Sequence, residues 1–431
     1  MLKNSKILFL TLILSLIAGS LTTLLVTPAE AENTKTITVP TDFFSIKAAV
    51  GNASQGDIII VKGGVYYENL VIDKALTLEG QGAVVDGGGV GTVVFVNADN
   101  VTFSGFTVQN SGGNLTDSGI YVNSSESTML SGNVVTDNNI GVYLADSPRS
   151  LLRDNALTGN KFNFGVYSSN FDGYIQEIDQ SNTVDGKPIV YWVNTEGKQA
   201  PPNAGYVAAV NCTDITVSDV LLEKNWQNLL FAYVTNSKIT GVTGTLGMDG
   251  IWLIETSNCN LQNNNISGNV WGGVALVNTK DSTIQENSFK NNGGYGLFLS
   301  DSSSNQFFHN NFIDNPHQAW LYGENSNSWD NGYPSGGNYW SNYTGVDQYS
   351  GRYQNATGSD GLGDTPVDLA KDNVDNYPLT KPWTMQPNEP NLIPIEFSVT
   401  AIIAVTTILV IFIVYYVKKW VTKKQVTKME T

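Results

Sequence analysis

The chain has 431 residues, only 14% of them charged, and is rich in glycine (42). Its net charge of −16, from 23 Lys and Arg against 39 Asp and Glu, argues against nucleic acid as a partner. Two cysteines, Cys212 and Cys259, are too few for a disulfide framework.

In chain order, Lys3 and Lys6 precede an apolar run from Ile7 to Val26, followed by Ala29-Glu30-Ala31. Residues 1–31 therefore read as a secretory signal. Next, ITV reads as a strand, and FFSIKAAV as a short helix with Phe44, Ala48 and Ala49 on one side. We expect Phe43–Ala53 to cap the open end of a solenoid. GDIIIVKGGVYYENLVIDKALTLEGQGAVVDGGG supplies the first coils, as short β-branched runs between Gly-rich turns.

The clearest pattern is a repeat of 22 or 23 residues, explicit from Cys259 to Glu324: CNLQNNNISGNVWGGVALVNTK, DSTIQENSFKNNGGYGLFLSDSS, SNQFFHNNFIDNPHQAWLYGE. Runs of three to five residues with period-two alternation, and no helix between them, predict a parallel β-helix over residues 32–325. Asn133, Asn155, Asp219, Gly241, Asn264, Asn287 and Asn310 read as equivalent turn positions, the asparagines forming a ladder of stacked amides. The long step before Asp219 predicts an insertion at about 174–203, either a loop on a binding face or a lateral hairpin. In this register the two cysteines lie about two coils apart, roughly 9–10 Å, beyond the ~7 Å that a disulfide spans.

The second strand of each coil has the form Gly-apolar-X-apolar, with X pointing outward. X is Tyr121, Tyr143, Tyr167, Trp252, Ala275 and Phe298. Stacked coils would align these into an aromatic column suited to the apolar faces of sugars. The competing reading is that the aromatic C-terminal segment, residues 326–386, covers the column while packing on the helix. Within that segment Asp360-Gly-Leu-Gly-Asp364 has the oxygen and glycine density of a Ca²⁺ loop, or of an Asp-capped turn. Asp249, Glu255, Asp281 and Asp301 form no recurring carboxylate pair, so no catalytic residue is assigned. Residues 387–394 form a Pro-rich stalk. Ile395–Val417 reads as a transmembrane helix, and Lys418, Lys419, Lys423 and Lys424 keep the 418–431 tail cytoplasmic. The expected topology is a single-pass membrane protein with its ectodomain outside.

The repeats, the segment DGKPIVYWVN and the tail motifs NYWSNY and DGLGDTPVDLAKDNVDNYPL together resemble the NosD-type right-handed parallel β-helix family, over Thr36 to Pro382. That family overlaps the carbohydrate-binding and sugar-hydrolase β-helix domains. It includes a periplasmic accessory factor for copper-site assembly and many surface proteins. The resemblance implies an all-β right-handed solenoid. It leaves open a carbohydrate-binding or cell-envelope module, a polysaccharide lyase or glycoside hydrolase, and a copper-maturation factor. Copper favours imidazole and sulfur ligands. His309 and His317 are the only histidines, and no cysteine or methionine lies near them in sequence.

Overall fold

The computed structural model describes residues 34–384. The expected signal (1–31), the stalk and the expected span Ile395–Val417 lie outside the described residues. Among the described residues, no helix is long and apolar enough to cross a membrane.

The chain forms an all-β parallel solenoid. Strand Thr36–Val39 pairs in parallel with Ile58–Tyr67, and the helix Ile46–Asn52 covers this end. Ser45 caps the helix, its Oγ accepting from Ala48 N at 3.1 Å. Because the helix starts after Ser45, its apolar stripe is Ile46, Ala49 and Val50, not the expected Phe44 and Ala48; Phe44 is 94% exposed.

Most coils contribute three short strands whose alternate residues point inward, as at Leu261, Ile284 and Phe307. Many coil corners need a left-handed residue, and Asn, Asp and Glu take that conformation there, as at Asn263 and Glu286. The asparagine ladders form at the neighbouring buried turn positions. Asn264 donates to Asn287 Oδ1 at 2.9 Å, and Asn287 to Asn310 Oδ1 at 2.9 Å. Asn133, Asn155 and Asn182 form the equivalent ladder near the N-terminus. The successor of Asn155 is thus Asn182, not Asp219, because this coil is longer than its neighbours. In the later coils the ladder position is Val242, not Gly241: Val242 N donates to Asn264 Oδ1 at 2.9 Å.

The solenoid is not one uniform stack. Segment 174–203, expected as an inserted loop or lateral hairpin, is a joint between two. Strands Glu177–Ile178 and Thr183–Val184 still stack on the preceding coil, and the chain then reverses through a tight turn. Strand Lys187–Val193 opens a new sheet that continues through Tyr206–Val210, Gln227–Ala232, Asp249–Ile254, Gly272–Val277, Tyr295–Ser300 and His317–Tyr322. The first three of these strands are buried on both faces. Ile189, Ala208 and Leu230 join the N-terminal core, whereas Val190, Val207 and Leu229 join the C-terminal core.

The last coil extends past the expected boundary at residue 325. Ser326–Ser328, across a register shift, and Tyr339–Trp340, in register, still stack on the coil before them. Trp329 lies flat on Phe307 and Trp340 on Phe312, each at 4.4 Å between centroids, so the aromatic tail seals the end of the C-terminal core.

An open aromatic groove at the joint

Beyond Gln227–Ala232 the shared sheet outruns the N-terminal stack, and the face that was buried between the two becomes open. In parallel register, Leu230 is followed by Trp252, Ala275, Phe298 and Trp320. Leu230 is fully buried, Trp252 and Phe298 are half-buried, and Trp320 is 40% exposed. The end of the N-terminal stack supplies the other wall, with Tyr167, Ser168 and Ser169. Together they enclose a groove of about 860 Å³ with mainly aromatic and aliphatic walls. That volume is in the usual range of small-ligand sites.

Three of the five residues expected to bind sugar, Tyr167, Trp252 and Phe298, line this groove and are accessible. None of the described tail residues lines it; Trp329 and Trp340 seal the solenoid end instead. Tyr143 borders the groove but is buried, because Trp226 folds over it at 5.1 Å. The cause is Gly165, the register partner of Tyr143, whose absent side chain leaves the space Trp226 fills. Tyr121 stacks behind Tyr143 at 5.3 Å, outside the groove. The column is therefore interrupted at the joint, and Tyr167 lies two residues beyond the position that continues it.

Several lining residues were not singled out by the alternation. Trp320 and Tyr322 belong to the next strand and follow the same rule one coil further. Trp271 and Tyr295 lie at or beside a turn, where period-two alternation gives no signal.

Asp249 is the polar feature of the floor. It is almost fully buried, and its Oδ1 accepts from Tyr295 Oη at 2.9 Å. Gly272 lies between them in register, and any side chain there would collide with both partners. Burial pushes the Asp249 carboxyl up to about 6, against the opposing pull of the Tyr295 hydroxyl. The Trp252 indole N–H also favours the carboxylate, without closing a hydrogen bond of normal geometry. Glu255, at the other end of the strand, accepts from Asn278 Nδ2 at 2.7 Å. Six residues of extended chain set the backbones of the two residues roughly 20 Å apart, well beyond the ~5–9.5 Å spacing of a glycosidase pair.

A family model described as periplasmic copper-binding protein (NosD) matches residues 50–187 and 194–345. The chain belongs to the NosD family. The break between the matched segments falls in strand Lys187–Val193, where the new sheet begins. No curated protein matches the chain. Among solved structures, it is similar at 15% identity to the Dettilon tailspike protein (gp208), over 67% of this chain and 68% of that one, with a TM-score of 0.31. It is similar at 14% to the Azotobacter vinelandii mannuronan C-5 epimerase AlgE6 A-module, over 65% and 91%, with a TM-score of 0.31. Likeness to PfbA, a surface adhesin of Streptococcus pneumoniae, is 12% over 68% and 90%, with a TM-score of 0.32.

The described residues of this NosD-family chain do not suit copper. His309 sits at a coil corner with a left-handed backbone and is buried there: its ring stacks on Trp383 at 3.6 Å, and Nε2 bonds the Ser335 carbonyl at 2.9 Å. His317 instead packs against Trp320. Cys212 and Cys259 are free, buried and directed at backbone carbonyls. No group of three His, Cys, Asp or Glu that could hold a metal ion forms among the described residues. Around the expected Ca²⁺ loop, Asp360 accepts from Gly351 N and Leu362 N, and Asp364 from Gln348 N and Tyr349 N. These carboxylates act as acceptors for turn backbone.

Proposed function

We propose that this NosD-family solenoid is a glycan-binding module of the cell surface, presented outside the membrane by the C-terminal apolar segment Ile395–Val417. The observation that carries this reading is the open groove. Soluble domains rarely leave contiguous aromatic surface uncovered unless it binds something. Flat rings present apolar faces to sugar rings, and Ser168, Ser169 and Asn170 on the opposite wall offer hydrogen bonds to hydroxyls. The test is a glycan-array screen with the full-length chain, repeated with Trp252→Ala and Trp320→Ala. Each variant should weaken binding at least about tenfold, a loss of about 1.4 kcal/mol. Absence of binding to every glycan, or equal binding by both variants, contradicts the reading.

A second reading, action on the bound glycan, has one observation in its favour. Asp249 is a buried carboxyl with a raised pKa in a groove, the condition of a general acid. It predicts release of new sugar ends or unsaturated products by the wild type and none by Asp249→Asn.

A further inference from the structure

The charge of the groove narrows the ligand class, an inference that rests on the glycan-binding reading. Among the described residues that line it are two carboxyls, Asp249 and Glu255, and no lysine, arginine or histidine. Asp249 makes its side-chain bond to a neutral phenol, and Glu255 to a neutral amide. Behind Ser168 and Ser169 stands a third carboxylate, Asp146, which accepts from Ser168 Oγ at 2.9 Å and Ser169 N at 2.7 Å. Burial, which raises the Asp146 pKa, is outweighed by these hydrogen bonds, and the group is held below the usual carboxylate range. The imidazole of His317 stands beside Trp320, outside the lining.

An anionic sugar entering this space would lose water against apolar walls, meet fixed negative charge and find no cation to pair with. Burying an unpaired charge is costly, and like charges without intervening water repel strongly. A neutral hexose chain meets neither penalty. Its hydroxyls can use Asn170, Asn278 and the two serines, and its ring faces the aromatic wall. We infer that the groove selects uncharged glycans and rejects uronate polymers, with Asp249 and Glu255 as the groups that determine this specificity.

The test is calorimetric titration of the full-length chain with neutral hexasaccharides of glucose, mannose and galactose. Oligomers of glucuronate, mannuronate and galacturonate of the same length are titrated in parallel at low ionic strength. At least one neutral oligomer should bind at least about tenfold more tightly than its uronate counterpart. Glu255→Gln and Asp249→Asn should each narrow that ratio; the surface position of Glu255 makes the first a variant that leaves the core untouched. Uronates binding as tightly as neutral sugars, or ratios unchanged in both variants, overturn the inference while the glycan reading stands. If neither class binds, the glycan reading itself falls, and this inference with it.

Discussion

Gly272 shows how one missing side chain arranges the groove floor. Asp249 and Tyr295 are two coils apart, and the phenol reaches the carboxyl only across a residue without a Cβ. Gly272→Ala should break that bond and leave a buried carboxyl short of its donor. We expect a loss of about 1–3 kcal/mol, read as a lower urea midpoint. Asp249 and Asp375 also set a pH dependence. Burial pushes their pKa values up to about 6 and about 7, above the ordinary value of 3.8. The folded state then binds these protons more tightly than the unfolded chain. Their contribution to stability is full below pH 3.8 and is lost as pH rises through about 6 and about 7. Measured as wild type minus Asp249→Asn or Asp375→Asn, which removes the background of other carboxylates, relative stability should fall from pH 4 to pH 8. A flat difference would refute the shifts.

The asparagine ladder is the unit of cohesion at the scale of the coil. Asn287 donates to Leu261 O and Asn310 Oδ1, and its Oδ1 accepts from Asn264 N and Asn264 Nδ2. Asn287→Ala should therefore orphan several buried groups and cost about 3 kcal/mol or more in urea unfolding. Exposed Asn265, one coil earlier, serves as a control expected within about 0.5 kcal/mol. Such ladders were legible from sequence because the period of 22 or 23 residues keeps equivalent asparagines aligned. The joint was not, because its coil breaks that spacing. A local signal was nonetheless present. IVYWV, YVAAV and NLLFA are apolar at both parities, the mark of strands buried on both faces. Strict alternation located Trp252 and Phe298, and one further coil would have included Trp320. It could not show that Trp226 buries Tyr143, since that contact joins residues far apart in sequence through a glycine.

Across the whole molecule, the groove exists because two stacks share a sheet and only one of them continues along it. The C-terminal end needs its own closure, and the Trp/Tyr-rich tail provides it. Trp340 Nε1 donates to Asp375 at 2.9 Å, and Trp329 Nε1 to Asn373 at 3.0 Å, so the two caps are held by polar bonds as well as by stacking. Trp340→Ala should cost about 3–5 kcal/mol and, by opening the end of the core, promote association that increases with protein concentration. Sedimentation of the variant at several concentrations checks this, and a monodisperse variant of unchanged stability would refute the capping role. The central claim, that the open face at the joint is a sugar platform, is tested most directly by a crystal structure of the full-length chain with the tightest-binding neutral hexasaccharide. The account predicts sugar rings stacked along Trp252, Phe298 and Trp320. Saccharide bound elsewhere, with the groove empty at saturating ligand, would contradict it.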